Sequence, residues 1–138
     1  MLFNYTDREL DLLARIMRAE ALGEGNLGML MVGNVVANRV LADCLTFKNI
    51  DSIYDAIYQP NQFTGVNSSL FNASATTLEK QLAQRIVRGE YYHPATNALW
   101  FYSPTVVLLA LAILYKLSPF LTLYVFPVIL SSPGILSI

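Results

Sequence analysis

The chain has 138 residues, of which 54% are apolar and only 14% are charged. This length suits one domain with one hydrophobic core, and the charged fraction is well below the roughly 25% of a typical soluble domain. Nine basic and ten acidic residues give a net charge of −1, which argues against a basic nucleic-acid surface. A single cysteine excludes an internal disulfide, and together with the single histidine it makes no zinc site.

The first predicted element is an amphipathic helix over residues 7–22. Thr6 and Glu9 have the spacing of a capping box, in which each side chain bonds the backbone N–H of the other residue. Gly23 is expected to end the helix in the left-handed conformation. One arc of the helix is apolar. The opposite arc carries the charged side chains Asp7, Arg8, Asp11, Arg15 and Arg18.

Glu20 falls in the middle of the apolar arc, three residues after Met17 and four after Ile16. An unpaired buried carboxylate is costly, and a raised pKa lets the group stay neutral. A carboxylic acid that is protonated near pH 7 is what general-acid cleavage of a glycosidic bond needs. The competing interpretation is that the helix frays here and the side chain reaches water. The pattern alone leaves both open.

The second predicted helix covers residues 27–40 and is apolar nearly all round, which indicates a central, buried helix. Asn26 is expected to cap its N-terminus. Gly28 and Gly33 lower its helix propensity, so these positions predict close packing against a neighbour. Within it, Asn38 is expected to bond a loop backbone.

The remaining pattern predicts a short helix over residues 51–58 capped by Asp51, and an amphipathic helix over residues 77–88. "NQFTGV" is expected to be extended with a turn, and "NALWFY" at residues 97–102 to be strand-like. The predicted fold class is therefore α+β and mainly helical.

Three single residues receive structural interpretations. Arg39 is expected in a surface ion pair, and Cys44 as a buried free thiol. His93, beside Pro94 in a polar loop, is expected at the surface. None of the three is interpreted as catalytic.

Four short motifs occur together in the first part of the chain. They are Ala-Glu-Ala-x-Gly-Glu at 19–24, Asn-Arg-Val at 38–40, Tyr-Gln-Pro-x-x-Phe at 58–63 and Asn-Ala-Leu-Trp-Phe-Tyr at 97–102. In order and spacing they resemble the cell-wall hydrolase family of spore cortex-lytic enzymes. Residues 6–104 are most similar to its short spore-coat type, which lacks a signal peptide.

The resemblance implies a single lysozyme-like domain, similar to goose lysozyme and the lytic transglycosylases, that cleaves spore-cortex peptidoglycan during germination. It makes Glu20 the catalytic glutamate. Glu20 would protonate the glycosidic oxygen, and the resulting carboxylate would take a proton from the muramoyl 6-hydroxyl or from water. The sequence leaves the transglycosylase and muramidase outcomes open. Only one carboxylate is needed, unlike the two of ordinary glycosidases.

The resemblance also suggests four residues for the glycan groove: Glu24, Gln62, Phe63 and Tyr102. Glu24 could equally be a solvated loop carboxylate, while Phe63 and Tyr102 could equally belong to the core. No cofactor or metal is expected. The expected partners are peptidoglycan and a spore-coat protein, with no nucleic acid. The expected location is the spore coat, after synthesis in the cytoplasm without a signal peptide.

The composition changes at residue 103, because from there to residue 138 the only charged side chain is Lys116. The family continues with a polar segment, so residues 1–102 are interpreted as an incomplete catalytic domain. The apolar tail has three interpretations: a reading-frame shift, a membrane anchor over residues 106–126, or a divergent packed segment. The alternative function is an inactive or tail-anchored family derivative with only a structural role in the coat.

Overall fold

The computed structural model describes residues 1–42, 44–102 and 135–137, and they form a mainly helical single domain, as predicted. The α-helices are α1 (Asp7–Ala21), α2 (Gly25–Leu41), α3 (Ile53–Tyr58), α4 (Ser69–Asn72) and α5 (Thr77–Val87). The strands are β1 (Trp100–Tyr102) and β2 (Ile135–Ser137). Short 3₁₀ turns cover Leu22–Glu24, Thr64–Asn67 and Ala95–Asn97.

The predicted capping box at the start of α1 is confirmed. Glu9 Oε2 accepts a hydrogen bond from the Thr6 N–H at 2.9 Å, and Thr6 Oγ1 accepts one from the Glu9 N–H at 3.2 Å. The predicted left-handed cap at Gly23 is wrong. The chain first continues through the 3₁₀ turn Leu22–Glu24 and reverses at Gly25, which has φ of 71°.

Helix α2 begins at Gly25, so the predicted cap at Asn26 is also wrong. Its central position is confirmed, because α2 packs against α1, α3 and α5. Gly33 lies where α2 packs tightly against Met17 of α1 and Ile86 of α5. A Cβ atom there would lie 2.7 Å from Ile86 Cγ1 and 3.0 Å from Met17 Sδ.

The segment between α2 and α5 differs from its prediction in two places. Ser52 caps α3 by accepting a hydrogen bond from the Asp55 N–H at 3.0 Å, so the predicted Asp51 cap is wrong. In "NQFTGV" Phe63 is extended and the 3₁₀ turn Thr64–Asn67 begins directly after it, in agreement with the predicted extended piece with a turn. Side-chain caps from serine also start α4, which the sequence pattern does not predict.

The C-terminal end of the described domain is a short parallel ladder. Strand β1 is shorter than the predicted 97–102, and Trp100 pairs opposite Ile135 of β2. Residues 106–126, for which a membrane anchor is one of the three interpretations, lie outside the described residues. Among the residues that are described, no helix is long and apolar enough to cross a membrane.

The single cysteine does not lie in the core. Cys44 is exposed, so the prediction of a buried thiol is wrong. It begins a turn in which its carbonyl accepts a hydrogen bond from the Phe47 N–H at 3.0 Å, and the Phe47 side chain takes the buried position instead. His93 is exposed, as predicted.

Arg18 was expected on the solvent-facing arc of α1, but it is only 7% exposed. Its Nη1 donates to Glu79 Oε2 at 2.9 Å and its Nε donates to the Leu70 carbonyl at 3.0 Å. Nη2 donates to the carbonyls of Leu70 and Ala73. The chain from α4 to α5 therefore closes over α1, and the guanidinium satisfies carbonyls that have no helical partner.

Replacing Arg18 with Met is expected to lower the free energy of unfolding by about 3–5 kcal/mol, because Glu79 would remain buried without its cation. Urea unfolding followed by circular dichroism measures the change. Arg8→Met, on the exposed first turn of the same helix, is the matched control and should change it by less than about 0.5 kcal/mol. Equal unfolding midpoints for the two variants would contradict the structural role of Arg18.

Candidate active site

The side chain of Glu20 lies in the last turn of α1 and is half-buried, beside the buried Ala21. Its Oε1 accepts a hydrogen bond from the Gly65 N–H at 2.6 Å. Helix α1 extends to Ala21, one residue beyond Glu20, and the hydrogen bond to Gly65 holds the side chain against the neighbouring 3₁₀ turn. The Glu20 carboxylate, which the sequence pattern places on the apolar face of α1, therefore has a hydrogen-bond partner 45 residues away in the chain.

Gly65 can approach the carboxylate because it has no side chain. A Cβ atom at this position would lie 2.6 Å from Glu20 Oε1 and 3.0 Å from Ala19 Cβ. Both distances are shorter than van der Waals contact, and the neighbours belong to a packed helix. Glycine at position 65 thus lets the 3₁₀ turn present its backbone N–H to Glu20.

Three effects act on the pKa of Glu20. Burial raises the pKa, while the Gly65 N–H and the positive charge of Arg39 lower it. Burial is the largest effect, so the pKa lies above its ordinary value. Glu20 therefore keeps its proton to a higher pH than a free glutamic acid, as proton donation near neutral pH requires.

Arg39 was expected in a surface ion pair, and that expectation is wrong because the side chain is only 1% exposed. Its Nε donates to the Leu99 carbonyl at 2.7 Å, and its guanidinium carbon lies 4.6 Å from the Phe63 ring centroid and 5.4 Å from that of Phe47. Aromatic faces and a carbonyl thus replace water around the cation. Burial lowers the pKa of Arg39 to about 10, so it stays charged at neutral pH.

Two asparagines of α2 hold the segment that leads into β1. As predicted, Asn38 bonds a loop backbone, since its Nδ2 donates to the carbonyls of Ala95 at 3.0 Å and Ala98 at 2.8 Å. Asn34 was not predicted. It is fully buried, donates to the Glu90 carbonyl and accepts from the Tyr92 N–H, both at 2.8 Å. The sequence pattern that could have identified Asn34 is its position one helical turn before Asn38 on an otherwise apolar helix.

The predicted groove residues do not all meet at Glu20. Phe63 is buried between Arg39 and Phe101, with 5.9 Å between the two phenylalanine ring centroids. Gln62 is half-buried next to it, and Glu24 is exposed at the start of α2. No hydrogen bond among the described residues joins Glu24 or Gln62 to Glu20.

Tyr102 ends strand β1, and the position of its side chain lies outside what the structure describes. Within the described ranges, no group of three or more histidine, cysteine, aspartate or glutamate side chains is arranged to hold a metal ion. The described site thus offers one carboxyl group of raised pKa, one backbone donor and one buried cation.

Gly65→Ala is expected to separate the Gly65 amide from the Glu20 carboxylate, because the added methyl group occupies the carboxylate's position. A hydrogen bond to a charged group contributes about 1.5–3 kcal/mol, so the amide of residue 65 should exchange its hydrogen about tenfold faster or more. Hydrogen-exchange NMR measures this rate. Gly23→Ala makes the same change where no atom lies within 4 Å and should leave the rate unchanged. Equal rates in both variants would contradict this packing.

Known proteins are similar to most of this chain, and the family match begins just after Glu20. The Cell Wall Hydrolase family matches residues 23–112. The chain is 50% identical over 101 residues to the Cell wall hydrolase CwlJ of Oceanobacillus iheyensis, covering 72% of each protein. It is 46% identical over 99 residues to the protein of that name from Bacillus subtilis, covering 72% of this chain and 70% of the relative.

A more distant relative is the Spore cortex-lytic enzyme of Bacillus cereus, which is 27% identical over 100 residues that make up 72% of this chain and 36% of that protein. No solved structure matches the chain. The family match covers more than half of the chain, and relatives at about half identity align over most of their own length. The chain therefore belongs to the cell wall hydrolase family.

Proposed function

We propose that this chain cleaves the glycan strand of spore-cortex peptidoglycan during germination, with Glu20 as the acid and then the base. One observation carries the proposal. Glu20 is half-buried, its carboxyl group accepts a hydrogen bond from the Gly65 N–H, and its pKa lies above the ordinary value. Relatives named as a cell wall hydrolase and a spore cortex-lytic enzyme support the substrate.

The proposed reaction begins when protonated Glu20 donates its proton to the glycosidic oxygen. The glycosidic bond breaks, its electron pair stays with the leaving oxygen, and an oxocarbenium-like centre develops on the sugar. The Glu20 carboxylate then takes a proton from the muramoyl 6-hydroxyl, which closes an anhydro ring, or from water, which gives hydrolysis. During this second step the Gly65 N–H and the charge of Arg39 stabilise the carboxylate form.

The finer assignments are part of the same proposal. We propose a lysozyme-like fold with the catalytic domain in residues 1–102, and a groove that includes Glu24, Gln62 and Tyr102. Phe63 is buried against Arg39, so it supports the groove from beneath. The location in the spore coat and a coat protein as partner belong to the same proposal, as the motif resemblance implies.

A second candidate function is favoured by the composition of residues 103–138, which contain Lys116 as their only charged side chain. In this alternative the chain is an inactive or tail-anchored family derivative that serves as a component of the coat. The two functions differ in one measurable property. The first predicts that the complete 138-residue chain cleaves cortex, and the second predicts that it does not.

Glu20→Gln is expected to slow the cleavage of cortex fragments from decoated spores by about 10²- to 10⁴-fold, because the amide cannot donate the acid's proton. Loss of turbidity gives the rate, and mass spectrometry separates anhydro from hydrolysed ends. Glu90→Gln, an exposed glutamate, is the matched control and should cleave at the original rate. Unchanged cleavage by Glu20→Gln would exclude the proposed role, and an inactive unsubstituted chain would support the second function.

The rate is expected to be full below the pKa of Glu20 and to be lost as the pH rises through it, since the protonated form is the active one. The charge of Arg39 lowers that pKa, so Arg39→Gln should move the alkaline limb of kcat/KM to higher pH. Arg39→Lys keeps the charge and should leave the limb near its original position. A limb that stays in place or moves to lower pH in Arg39→Gln would contradict the assignment.

A further inference from the structure

The segment that contacts Glu20 from the 3₁₀ turn Thr64–Asn67 carries no charge of its own. From residue 59 to residue 78 the chain contains no aspartate, glutamate, lysine, arginine or histidine. Among the described residues, the hydrogen bond that this segment makes to Glu20 comes from the Gly65 N–H, whose nitrogen lies 2.6 Å from Oε1. The effect of the segment on Glu20 therefore depends on the direction in which one peptide group points.

Glycine does not fix that direction by itself. Because it lacks a Cβ atom, glycine has the widest range of backbone conformations of any residue. Position 65 excludes a side chain for lack of space, since a Cβ atom would lie 2.6 Å from Glu20 Oε1, and its φ is not in the left-handed range. The direction of the Gly65 N–H must therefore be set by bonds from neighbouring residues.

Ser68 supplies two such bonds, both to the Gly65 carbonyl. Its backbone N–H donates at 2.9 Å and its side-chain Oγ donates at 2.7 Å. The carbonyl thus accepts two hydrogen bonds from one residue, as many as its lone pairs allow. The Ser68 side chain is half-buried, so water competes less for the hydroxyl bond than it would at an exposed position.

The same hydroxyl group also begins α4. Ser68 is the N-cap of this helix, and its Oγ accepts a hydrogen bond from the Phe71 N–H at 3.3 Å. A hydroxyl group can accept and donate at the same time, so the cap uses a lone pair while the Gly65 carbonyl receives the proton. Capping requires only the first of these contacts. The bond to Gly65 is therefore additional to the ordinary role of a serine at an N-cap.

Helix α4 is itself fixed to α1 by Arg18. The guanidinium donates from Nε to the Leu70 carbonyl at 3.0 Å and from Nη1 to the Ser74 carbonyl at 3.2 Å. The chain from the 3₁₀ turn to the end of α4 is therefore bonded to α1 at both ends, at Arg18 and at Glu20. Ser68 lies between these two attachments and links the position of α4 to that of the turn.

We propose that Ser68 is a positioning residue, whose side-chain hydroxyl holds the Gly65 carbonyl and so aims the Gly65 N–H at the Glu20 carboxyl group. The inference rests on the proposed function and deepens it, because it identifies a residue that controls the protonation of Glu20 without touching it.

Few other groups act on Glu20. Burial raises its pKa, while the Gly65 N–H and the charge of Arg39, on α2, lower it. No charged side chain of α3, α4 or α5 is among the causes of the shift, and neither is the exposed Glu24 of the following 3₁₀ turn. Loosening the Gly65 N–H weakens one of the two lowering effects, so the pKa of Glu20 should rise.

The test measures the pKa of Glu20 in the complete ¹³C-labelled chain by NMR titration of the side-chain carboxyl groups. The Glu20 signal is the one that Glu20→Gln removes. Ser68→Ala keeps the backbone N–H of residue 68 but loses the hydroxyl, and should raise the pKa of Glu20 by about 0.5 to 1. The alkaline limb of kcat/KM for cortex cleavage should move to higher pH by the same amount, since the protonated form is active.

Three further variants separate positioning from stability. Ser68→Gly also removes the hydroxyl, but glycine is tolerated at an N-cap, so it should raise the pKa as Ser68→Ala does while lowering the thermal midpoint less. Ser68→Thr retains a hydroxyl and should leave the pKa near its original value. Ser52→Ala is the matched control, because it removes the serine cap of α3, whose hydroxyl bonds Asp55 of the same helix. It should lower the thermal midpoint without moving the pKa of Glu20.

An unchanged pKa of Glu20 in both Ser68→Ala and Ser68→Gly would overturn the inference. An equal rise in Ser52→Ala would also overturn it, since loss of any helix cap would then have the same effect. Because the NMR titration needs no substrate, its result does not depend on the proposed function. Failure of that function would appear separately, as undiminished cortex cleavage by Glu20→Gln.

Discussion

The hydrogen bond between the Gly65 N–H and the Glu20 carboxylate is the contact on which the site depends. A carboxylate on a packed helix face needs donors or a cation to remain ionised. Here it receives one backbone donor, and the positive charge of Arg39 lowers its pKa without forming an ion pair with it within the described residues. The donor and the charge do not offset the effect of burial, so the pKa of Glu20 is raised and the group keeps its proton to a higher pH.

Arg18 provides the contrast within the same helix. Its buried guanidinium is bonded to Glu79 and to several carbonyls, so its polar groups are paired and its role is structural. Glu20, two residues later, is half-buried and accepts one hydrogen bond, from the Gly65 N–H. The buried Arg18 and the half-buried Glu20 thus differ in how completely their polar groups are hydrogen-bonded, and only the less completely bonded one is assigned a chemical role.

The features predicted correctly from the sequence depend on local spacing. The Thr6–Glu9 capping box, the buried α2 and the position of Glu20 all follow from residues within one or two turns. The errors involve partners that are far apart in the chain. Arg18 meets Glu79 and Arg39 meets the Leu99 carbonyl, separations of 61 and 60 residues that periodicity does not encode. For the same reason the pattern identified Glu20 but not Gly65, which lies 45 residues away.

Arg39 connects the site to the strand that ends the described domain. Its guanidinium is anchored on the Leu99 carbonyl, immediately before β1, and β1 pairs in parallel with β2. The carbonyl fixes the cation, the cation packs on Phe63, and its charge lowers the pKa of Glu20. A change in β2, which pairs with β1, is therefore expected to alter the pKa of Glu20 through the Leu99 carbonyl and the charge of Arg39.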